Sequence, residues 1–362
     1  MFDPVVLLLA LGSFFLTVIL LTYWLRYTAR RALVAIPNAR SSHSQPTPTG
    51  GGVAIVVVLT MVLVGYFWLG VGWAGWLAGG GLVIASLGLA DDLVELSAQL
   101  RIAIQWLVVG VVLWALGAID RLGADPAGGV IAGLPVFVLW LVLLIGLTWF
   151  INLFNFMDGI DGIATAQSGA YCLGALLFML GDAGWATRVL WVGLATSLGF
   201  AVFNAAPARL FMGDVGSAFW GYLIGFMALH LALVGALPFV ASLVLLSAFW
   251  FDATYTLCVR IITGQKFAQG HRSHLYQRLA DRFGHGRTTA IYLGLVVLWQ
   301  WPLVWWCRAL YLAEISGTSP QSWAILDLRL WWLVLLACLP LALGCVWFRA
   351  GQLKPQSQAQ SG

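Results

Sequence analysis

One stretch of the chain joins an apolar run directly to a polar motif. Residues 135–150 read PVFVLWLVLLIGLTWF, and residues 152–164 read NLFNFMDGIDGIA. The first run has the length and the apolar composition of a helix that crosses a bilayer. The second places asparagines, aspartates and glycines at the end of that helix. The stretch therefore predicts a membrane-spanning helix that ends in a polar site.

The remaining sequence has the same apolar character. Of its 362 residues, 61% are hydrophobic and 9% are charged, whereas soluble domains carry about 25% charged residues. Because backbone polar groups in a bilayer must be satisfied internally, runs of this length predict helices rather than a barrel. We predict an all-α polytopic membrane protein with about eleven transmembrane helices. The predicted spans are 4–25, 53–72, 74–90, 102–119, 134–151, 163–180, 185–203, 217–234, 237–258, 290–307 and 330–348.

The positions of Lys and Arg predict the orientation. Most of the 18 basic residues fall on one face when the N-terminus is placed outside. The positive-inside rule then predicts a periplasmic N-terminus and a cytoplasmic C-terminus. Residues 1–350 would form a single integral-membrane domain, and residues 351–362 a polar, disordered cytoplasmic tail.

With this orientation, most polar residues able to do chemistry collect on the cytoplasmic face. Eight of the 14 acidic residues lie near cytoplasmic helix ends: Asp91, Asp92, Glu95, Asp158, Asp161, Asp214, Asp252 and Asp281. Four of the five histidines share that side: His43, His271, His274 and His285. This one-sided distribution predicts one active site, built from cytoplasmic loops at the membrane surface.

The first two loops contain a glycine cluster and an acidic cluster. In PTPTGGG (residues 46–52), the glycines could leave backbone N–H groups open to an anion, or could simply make the loop flexible. In ADDLVELSAQLR (residues 90–101), Asp91, Asp92 and Glu95 have the spacing of one helix face. Converging carboxylates favour a divalent metal or a basic substrate group over a solvated helix end.

The motif that follows the 135–150 run has polar residues at every third position, from Asn152 through Asn155 and Asp158 to Asp161. A straight helix cannot direct all four to one point, because its residues are about 100° apart. We therefore expect the helix to end near Asp158 and the chain to bend at the glycines, which would return Asp161 to the same pocket. The donors suit a sugar nucleotide with Mg²⁺; the alternative is a purely structural polar turn.

FNAAPARLFMGDVGS (residues 203–217) holds Asp214 between glycines, where its carboxylate can approach a metal or a phosphate. Phe211 in the same loop is a candidate for stacking on a base, or for anchoring at the membrane surface.

The most basic loop reads GQKFAQGHRSHLYQRLADRFGHGR (residues 264–287). His271 and His274 lack a third ligand at a zinc spacing, so with Arg272 they favour a phosphate clamp, or contact with inner-leaflet lipid. Asp252, inside a predicted span, is either a functional acid or an internally paired one.

Together these motifs resemble the polyprenyl-phosphate N-acetylhexosamine-1-phosphate transferases, glycosyltransferase family 4, which include the phospho-muramoyl-pentapeptide translocase. PNARSSHSQPTPTGGG, GLADDLVE, NLFNFMDGIDGIA, NAAPARLFMGDVGS and GHRSH follow one another in the family's order. The HRSH form is most similar to the branch that initiates O-antigen or related surface glycans on undecaprenyl phosphate. Two departures are Glu95, where the family often has Asp, and the lack of a first-loop lysine, which leaves Arg40 and His43 as basic candidates.

The resemblance implies a role for each matching residue. Asp91 and Asp92 would be the catalytic aspartates, and Asn155 and Asp214 would bind Mg²⁺, with Mn²⁺ as the alternative ion. The implied substrate-binding residues are Thr49, Asn152, Asp158, Asp161, Asn204, Phe211, Gly213, His271, Arg272 and His274.

The reaction that the resemblance implies takes place at the bacterial inner membrane. A HexNAc-1-phosphate would pass from a UDP-N-acetyl-aminosugar to undecaprenyl phosphate, which releases UMP and starts O-antigen or other cell-surface polysaccharide synthesis. The partners would be these two substrates and membrane lipid, without nucleic acid; a homodimer, the choice of sugar and a covalent intermediate stay open.

Two other functions compete with this interpretation. An intramembrane prenyltransferase suits DDLVE and DGIDG but not the basic HRSH loop or FMGD. A secondary transporter predicts inverted repeats and charges at span midpoints, where only Asp252 and His230 qualify.

Overall fold

The computed structural model describes residues 3–31, 34–35, 46–94, 96–117, 135–265, 271–315 and 330–352. Within these ranges the protein is predominantly helical, as predicted. The helices are α1 (Pro4–Arg31), α2 (Gly52–Trp68), α3 (Gly72–Val94), α4 (Ala98–Ala115), α5 (Val136–Met157), α6 (Ile163–Phe178), α7 (Trp185–Asn204), α8 (Asp214–Leu233), α9 (Phe239–Leu245), α10 (Ser247–Ile262), α11 (Leu275–Phe283), α12 (His285–Leu295), α13 (Trp301–Ile315) and α14 (Trp331–Trp347). A π-helical turn, Val296–Gln300, joins α12 to α13. Arg40, His43, Glu95 and residues 353–362 lie outside the described residues.

The first loop contains a departure from a purely helical fold. Two short strands, β1 (Val34–Ala35) and β2 (Thr47–Pro48), pair antiparallel with Val34 opposite Pro48.

The described helices include seven that are long and apolar enough to cross a bilayer: α1, α3, α4, α5, α7, α8 and the continuous helix over residues 285–313. The pair α9 and α10, bent by 73° at its break, makes an eighth if it counts as one span. Helices α2, α6 and α14 are apolar but shorter, and 17 residues span only about 25 Å. A polytopic membrane protein is thus confirmed, while the count of eleven and the orientation stay predictions.

Helix α8 lies at the centre of the molecule, and all its residues from Val215 to Ala232 are buried. Glycines allow the backbones of α2 and α3 to pack unusually close to α8. A Cβ added at Gly52 would lie 2.3 Å from Cα of Gly216, and one at Gly88 would lie 2.4 Å from the carbonyl oxygen of Asp214. Small residues of this kind let helix backbones pack closely in a membrane. They place the end of α3 against the start of α8.

The polar motif after α5 has the predicted bend. Helix α5 ends at Met157, and Asp158 follows it in a non-helical conformation. Gly162 then adopts a left-handed conformation, with φ of 76°, before α6 begins. The predicted helix end near Asp158 is confirmed.

Backbone hydrogen bonds join the first loop to the segment before α8. The N–H groups of Gly51 and Gly52 donate to the carbonyls of Phe211 and Met212, at 3.0 and 2.9 Å, and Phe211 N–H donates to Pro48 at 2.8 Å. The expectation that the glycine cluster offers open N–H groups is therefore wrong for Gly51 and Gly52. These groups instead hold the two loops together.

Candidate active site

A polar cavity of about 250 Å³ opens where α3, α5 and α8 end or begin. Its walls are Thr49, Asp92, Asn155, Asp158, Gly159, Ile160, Asp161, Asn204, Phe211, Met212, Gly213, Asp214, Ser217, Gln277 and His285. Residues from distant motifs thus share one space, including Asp92, Asp158 and Asp214. Five other predicted site residues are not part of these walls: Asp91, Asn152, His271, Arg272 and His274.

Asp92 is held against the first turn of α8. Its Oδ1 accepts a hydrogen bond from the backbone N–H of Asp214 at 3.2 Å, and its Oδ2 accepts a longer one from Val215 at 3.5 Å. The positive end of the α8 dipole favours a carboxylate there. Gly213 permits the approach, because its φ is 74° and an added Cβ would lie 2.8 Å from Asp92 Oδ2. The orientation of Asp92 is therefore fixed by backbone groups.

Asp91 points elsewhere, although it is adjacent in sequence. It forms an ion pair with Arg101 of α4 and accepts a hydrogen bond from Leu96 N–H at 2.7 Å. Arg101 Nη1 also lies 3.9 Å from Asp214 Oδ2. A second, much smaller cavity is lined by Asp91, Arg101 and Asp214, among other residues. The two predicted catalytic aspartates thus have different partners and different surroundings.

The two asparagines of α5 are also separated. Asn152 Nδ2 donates to Gln105 Oε1 at 2.6 Å and to the Thr148 carbonyl at 2.8 Å, inside the smaller cavity. Asn155 Nδ2 donates to Ser217 Oγ at 3.0 Å, and Asn155 lines both cavities. Asn155 is therefore the asparagine of α5 that borders both cavities.

The pKa of Asp158 is affected by burial and by the carboxylates of Asp214 and Asp92. Burial raises its pKa well above the usual range, and the charges of Asp214 and Asp92 raise that pKa further. Carboxylates that oppose each other's ionisation favour a bound cation. The cavity is therefore better suited to a substrate that arrives with a cation than to a bare anion.

Asp161 and Asn204 line the cavity and also support its loop. Asp161 Oδ1 is 3.0 Å from Nδ1 of His285, and its Oδ2 accepts from Ala208 N–H at 3.0 Å. Asn204 Oδ1 accepts from Thr165 at 2.7 Å, and its Nδ2 donates to the Leu210 carbonyl at 3.0 Å. Both side chains hold residues 205–210 in place.

The HRSH segment, residues 271–274, is not part of the cavity walls. Arg272 Nη2 donates to Asp281 Oδ1 at 2.7 Å, and His271 Nδ1 is 3.0 Å from Ser273 Oγ. Burial, followed by the charges of His274 and Arg260, lowers the pKa of His271 to about 3. His271 is therefore neutral at pH 7. In this conformation the three predicted clamp residues do not reach the cavity.

Five polar side chains at the two cavities were not predicted as site residues: Arg101, Gln105, Ser217, Gln277 and His285. Gln277 follows His274 by three residues at the start of α11, and its Oε1 accepts from His274 N–H at 3.2 Å. Arg101 ends the acidic-loop motif itself, but in the sequence it served only to predict orientation. Its pairing with Asp91 depends on how α4 packs against α3.

The donor set fits Mg²⁺ supplied together with a phosphate substrate. Over the described ranges, no three His, Cys, Asp or Glu side chains are already grouped as a metal site. Mg²⁺ characteristically uses one or two carboxylates and completes its coordination with water and substrate phosphates. Asp214 and the amide oxygen of Asn155 are suitable oxygen donors on the cavity wall.

Comparison with known proteins matches the part of the chain that contributes most of the cavity walls. The family model described as Glycosyl transferase family 4 matches residues 73–232. A probable undecaprenyl-phosphate N-acetylglucosaminyl 1-phosphate transferase of Bacillus subtilis is 31% identical over 277 residues, 73% of this chain and 74% of the relative. A decaprenyl-phosphate N-acetylglucosaminephosphotransferase of Mycolicibacterium smegmatis is 30% identical over 323 residues, 78% of each chain. A phospho-N-acetylmuramoyl-pentapeptide-transferase of Chlamydia muridarum is 34% identical over 228 residues, 56% of this chain and 66% of the relative.

Proposed function

The chain belongs to glycosyl transferase family 4, the polyprenyl-phosphate hexosamine-1-phosphate transferases, and on that premise we propose its reaction. It transfers a HexNAc-1-phosphate from a UDP-N-acetyl-aminosugar to undecaprenyl phosphate, releases UMP and forms an undecaprenyl-diphospho-sugar. The product initiates an O-antigen or another cell-surface polysaccharide at the bacterial inner membrane. The Bacillus and Mycolicibacterium relatives are named for the transfer of N-acetylglucosamine phosphate, which makes UDP-GlcNAc the first donor to test.

The observation that carries this proposal is the position of the polar cavity at helix ends. Asp92, Asp158 and Asp214 share it, while nearby helices expose large apolar side chains such as Leu107 of α4 and Val142 of α5. A water-soluble nucleotide sugar and a lipid-bound acceptor can meet only where both phases are accessible. The intervening apolar helix faces would accommodate the prenyl chain.

The chemistry we propose is a direct in-line attack. The acceptor phosphate has a second pKa of about 6, so it is mostly a dianion at neutral pH and needs little deprotonation. One of its oxygens forms a bond to the β-phosphorus of the UDP-sugar. The bond from that phosphorus to the bridging oxygen breaks, and the electron pair leaves with UMP.

Residues of the two cavities have separate tasks in this scheme. Asp92, fixed by the backbone of α8, orients the acceptor and takes any residual proton. Arg101, beside Asp91 and near Asp214, reduces repulsion between the two anionic substrates. Mg²⁺ held by Asp214 and Asn155 would neutralise further phosphate charge.

The remaining cavity walls suit the nucleotide sugar. Phe211, which lines the cavity, stacks on uracil, and Asp158 and Asp161 accept hydrogen bonds from hydroxyl groups of the sugar or the ribose. A few such contacts decide which sugar is preferred.

A covalent route competes with direct attack. Asp92 would first attack the β-phosphorus, release UMP and carry the sugar phosphate as an acyl phosphate. Incubation with labelled UDP-sugar but without lipid acceptor distinguishes the two routes. A labelled aspartyl adduct supports the covalent route, and its absence together with UMP release only after addition of acceptor supports direct attack.

The proposed activity is tested in proteoliposomes that contain Mg²⁺ and undecaprenyl phosphate. UDP-GlcNAc, UDP-QuiNAc, UDP-FucNAc and UDP-GalNAc are supplied separately, and UMP and the lipid-linked product are measured. Asp92→Asn and Asp214→Asn should each abolish turnover, whereas Asp182→Asn, an exposed carboxylate far from the cavity, should not. Full activity in both cavity variants would show that this cavity is not the active site.

A further inference from the structure

Asp252 is a fully buried carboxylate that the proposed chemistry does not use. It lies on α10, its exposed fraction is 0%, and it is not part of the cavity walls. A buried charge of this kind is costly unless it is paired and hydrogen-bonded. The groups that pair with it therefore indicate what it does.

Among the described residues, four groups donate hydrogen bonds to the carboxylate of Asp252: two N–H groups in the first turn of α11 and the hydroxyls of Tyr292 and Thr256. Its Oδ1 accepts from Leu275 N–H at 2.9 Å, and its Oδ2 accepts from Tyr276 N–H at 3.0 Å. Tyr292 of α12 donates its hydroxyl to Oδ2 at 2.7 Å. The first N–H groups of a helix have no partner within the helix, so Asp252 completes the start of α11 from another helix.

The turn held by Asp252 reaches the polar cavity. The hydroxyl of Tyr276 donates to the carbonyl of Phe156 at 2.9 Å, in the last turn of α5. That hydroxyl lies so near the following loop that a Cβ added at Gly159 would be 2.1 Å from it. The next residue, Gln277, lines the cavity itself. A continuous set of contacts thus runs from Asp252 to the wall formed by Gly159, Ile160 and Asp161.

We propose that Asp252 is a positioning residue, which sets the nucleotide-sugar side of the active site through Tyr276 and Gln277. This inference rests on the proposed transferase function. Asp252 acts at a distance, because it touches neither the cavity nor the lipid-facing surface, and it fixes a wall that the donor contacts. In the proposed scheme the lipid acceptor is oriented by Asp92 and not by that wall.

Asp252→Asn tests the proposal with little change in shape. Asparagine offers one acceptor oxygen where the carboxylate offers two, and its amide N–H faces groups that also donate. The KM for the UDP-sugar should rise about tenfold, because a displaced wall would make weaker contacts with the donor. The KM for undecaprenyl phosphate should stay unchanged. Tyr292→Phe, which removes one donor and keeps the carboxylate, should raise the donor KM less.

Simple destabilisation gives a different result. It reduces the folded fraction, which lowers the apparent kcat and leaves both KM values unchanged. Asp182→Asn is the matched control, because it removes an exposed carboxylate that accepts a local hydrogen bond from Gly184 N–H. A fall in kcat alone, or an equal rise of both KM values, in Asp252→Asn would overturn the proposal. If that variant does not insert, the same criteria apply to Tyr292→Phe.

Hydrogen–deuterium exchange supplies a readout that needs no turnover. Uptake at residues 275 and 276 should increase in Asp252→Asn and stay at the wild-type level in Asp182→Asn. Unchanged uptake would show that Asp252 does not hold the turn. If the wild-type protein releases no UMP while exchange increases as expected, the transferase proposal fails and the structural role of Asp252 stands.

Discussion

Arg101 shows how one side chain can balance two carboxylates. It pairs with Asp91, which is mostly buried, and lies 3.9 Å from Asp214. Arg101→Met should leave Asp91 charged and unpaired, at a cost of about 1–3 kcal/mol in the free energy of unfolding. Transferase activity should fall by about tenfold or more, because substrate repulsion is no longer reduced. Thermal unfolding in detergent and UMP release measure the two effects.

The double variant Arg101→Met, Asp91→Asn separates the two roles of the arginine. Removing the unpaired charge should restore most of the stability, while the activity should stay below that of Asp91→Asn alone, which is the reference because Asp91 is itself a predicted catalytic residue. If activity returns with stability, Arg101 serves only as the partner of Asp91.

His271 predicts a dependence of stability on pH. Its pKa is lowered to about 3 in the folded protein, while an unperturbed histidine has a pKa of about 6.5. Between these values the unfolded chain binds a proton that the folded protein does not, so stability is lost as pH falls below about 6.5. The unfolding temperature should therefore decrease from about pH 7.5 to about pH 5. His271→Asn should reduce that decrease, and an unchanged pH profile would contradict the prediction.

The sequence identifies the types of the site residues, but it predicts the positions of only some of them. Adjacent helical residues point about 100° apart, so Asp91 and Asp92 could not both be assigned to one pocket without knowing their partners. Arg101 and the N–H of Asp214, which hold them, come from two other helices. The bend after Asp158 was predictable because glycine permits it locally. The orientation of Arg272, paired with Asp281 nine residues away, depends on the fold of α11.

At the scale of helices, the contact of α3 with α8 sets the distance between Asp92 and Asp214. Gly88 makes this contact possible, because an added Cβ would lie 2.4 Å from the Asp214 carbonyl oxygen. Gly88→Val should push the helices apart, lower stability by about 1–3 kcal/mol through overpacking, and abolish turnover. Unfolding temperature and UMP release check both effects.

Gly79 provides the control on the same helix, because nothing lies within 4 Å of an added Cβ there. Gly79→Val should retain activity despite the same change in composition. Equal loss in both variants would mean that valine disturbs α3 itself rather than its contact with α8.

At the scale of the whole molecule, the composition predicts the fold class, but it does not predict where the helices break. Apolar runs identified a polytopic helical protein, because hydrophobic length alone determines which segments can span. The same runs did not reveal the 73° break between α9 and α10, since no proline separates Leu245 from Ser247. Asp252 follows this break on α10, and the sequence left it as either a functional acid or an internally paired one. Its partners include backbone N–H groups in the first turn of α11 and the hydroxyl of Tyr292 in α12, which a hydropathy pattern cannot show.

The orientation of the molecule decides whether the cavity can meet a cytosolic substrate. Asp182 lies at the end opposite the polar cavity, and Arg282 lies beside the HRSH segment; both are exposed. With exposed Cys258 replaced by serine, Asp182→Cys should react with a membrane-impermeant maleimide in intact spheroplasts. Arg282→Cys should react only in inverted vesicles, because the positive-inside rule places its loop in the cytoplasm. The reverse pattern would put Asp92 and Asp214 on the periplasmic side, where a UDP-sugar made in the cytosol cannot reach them.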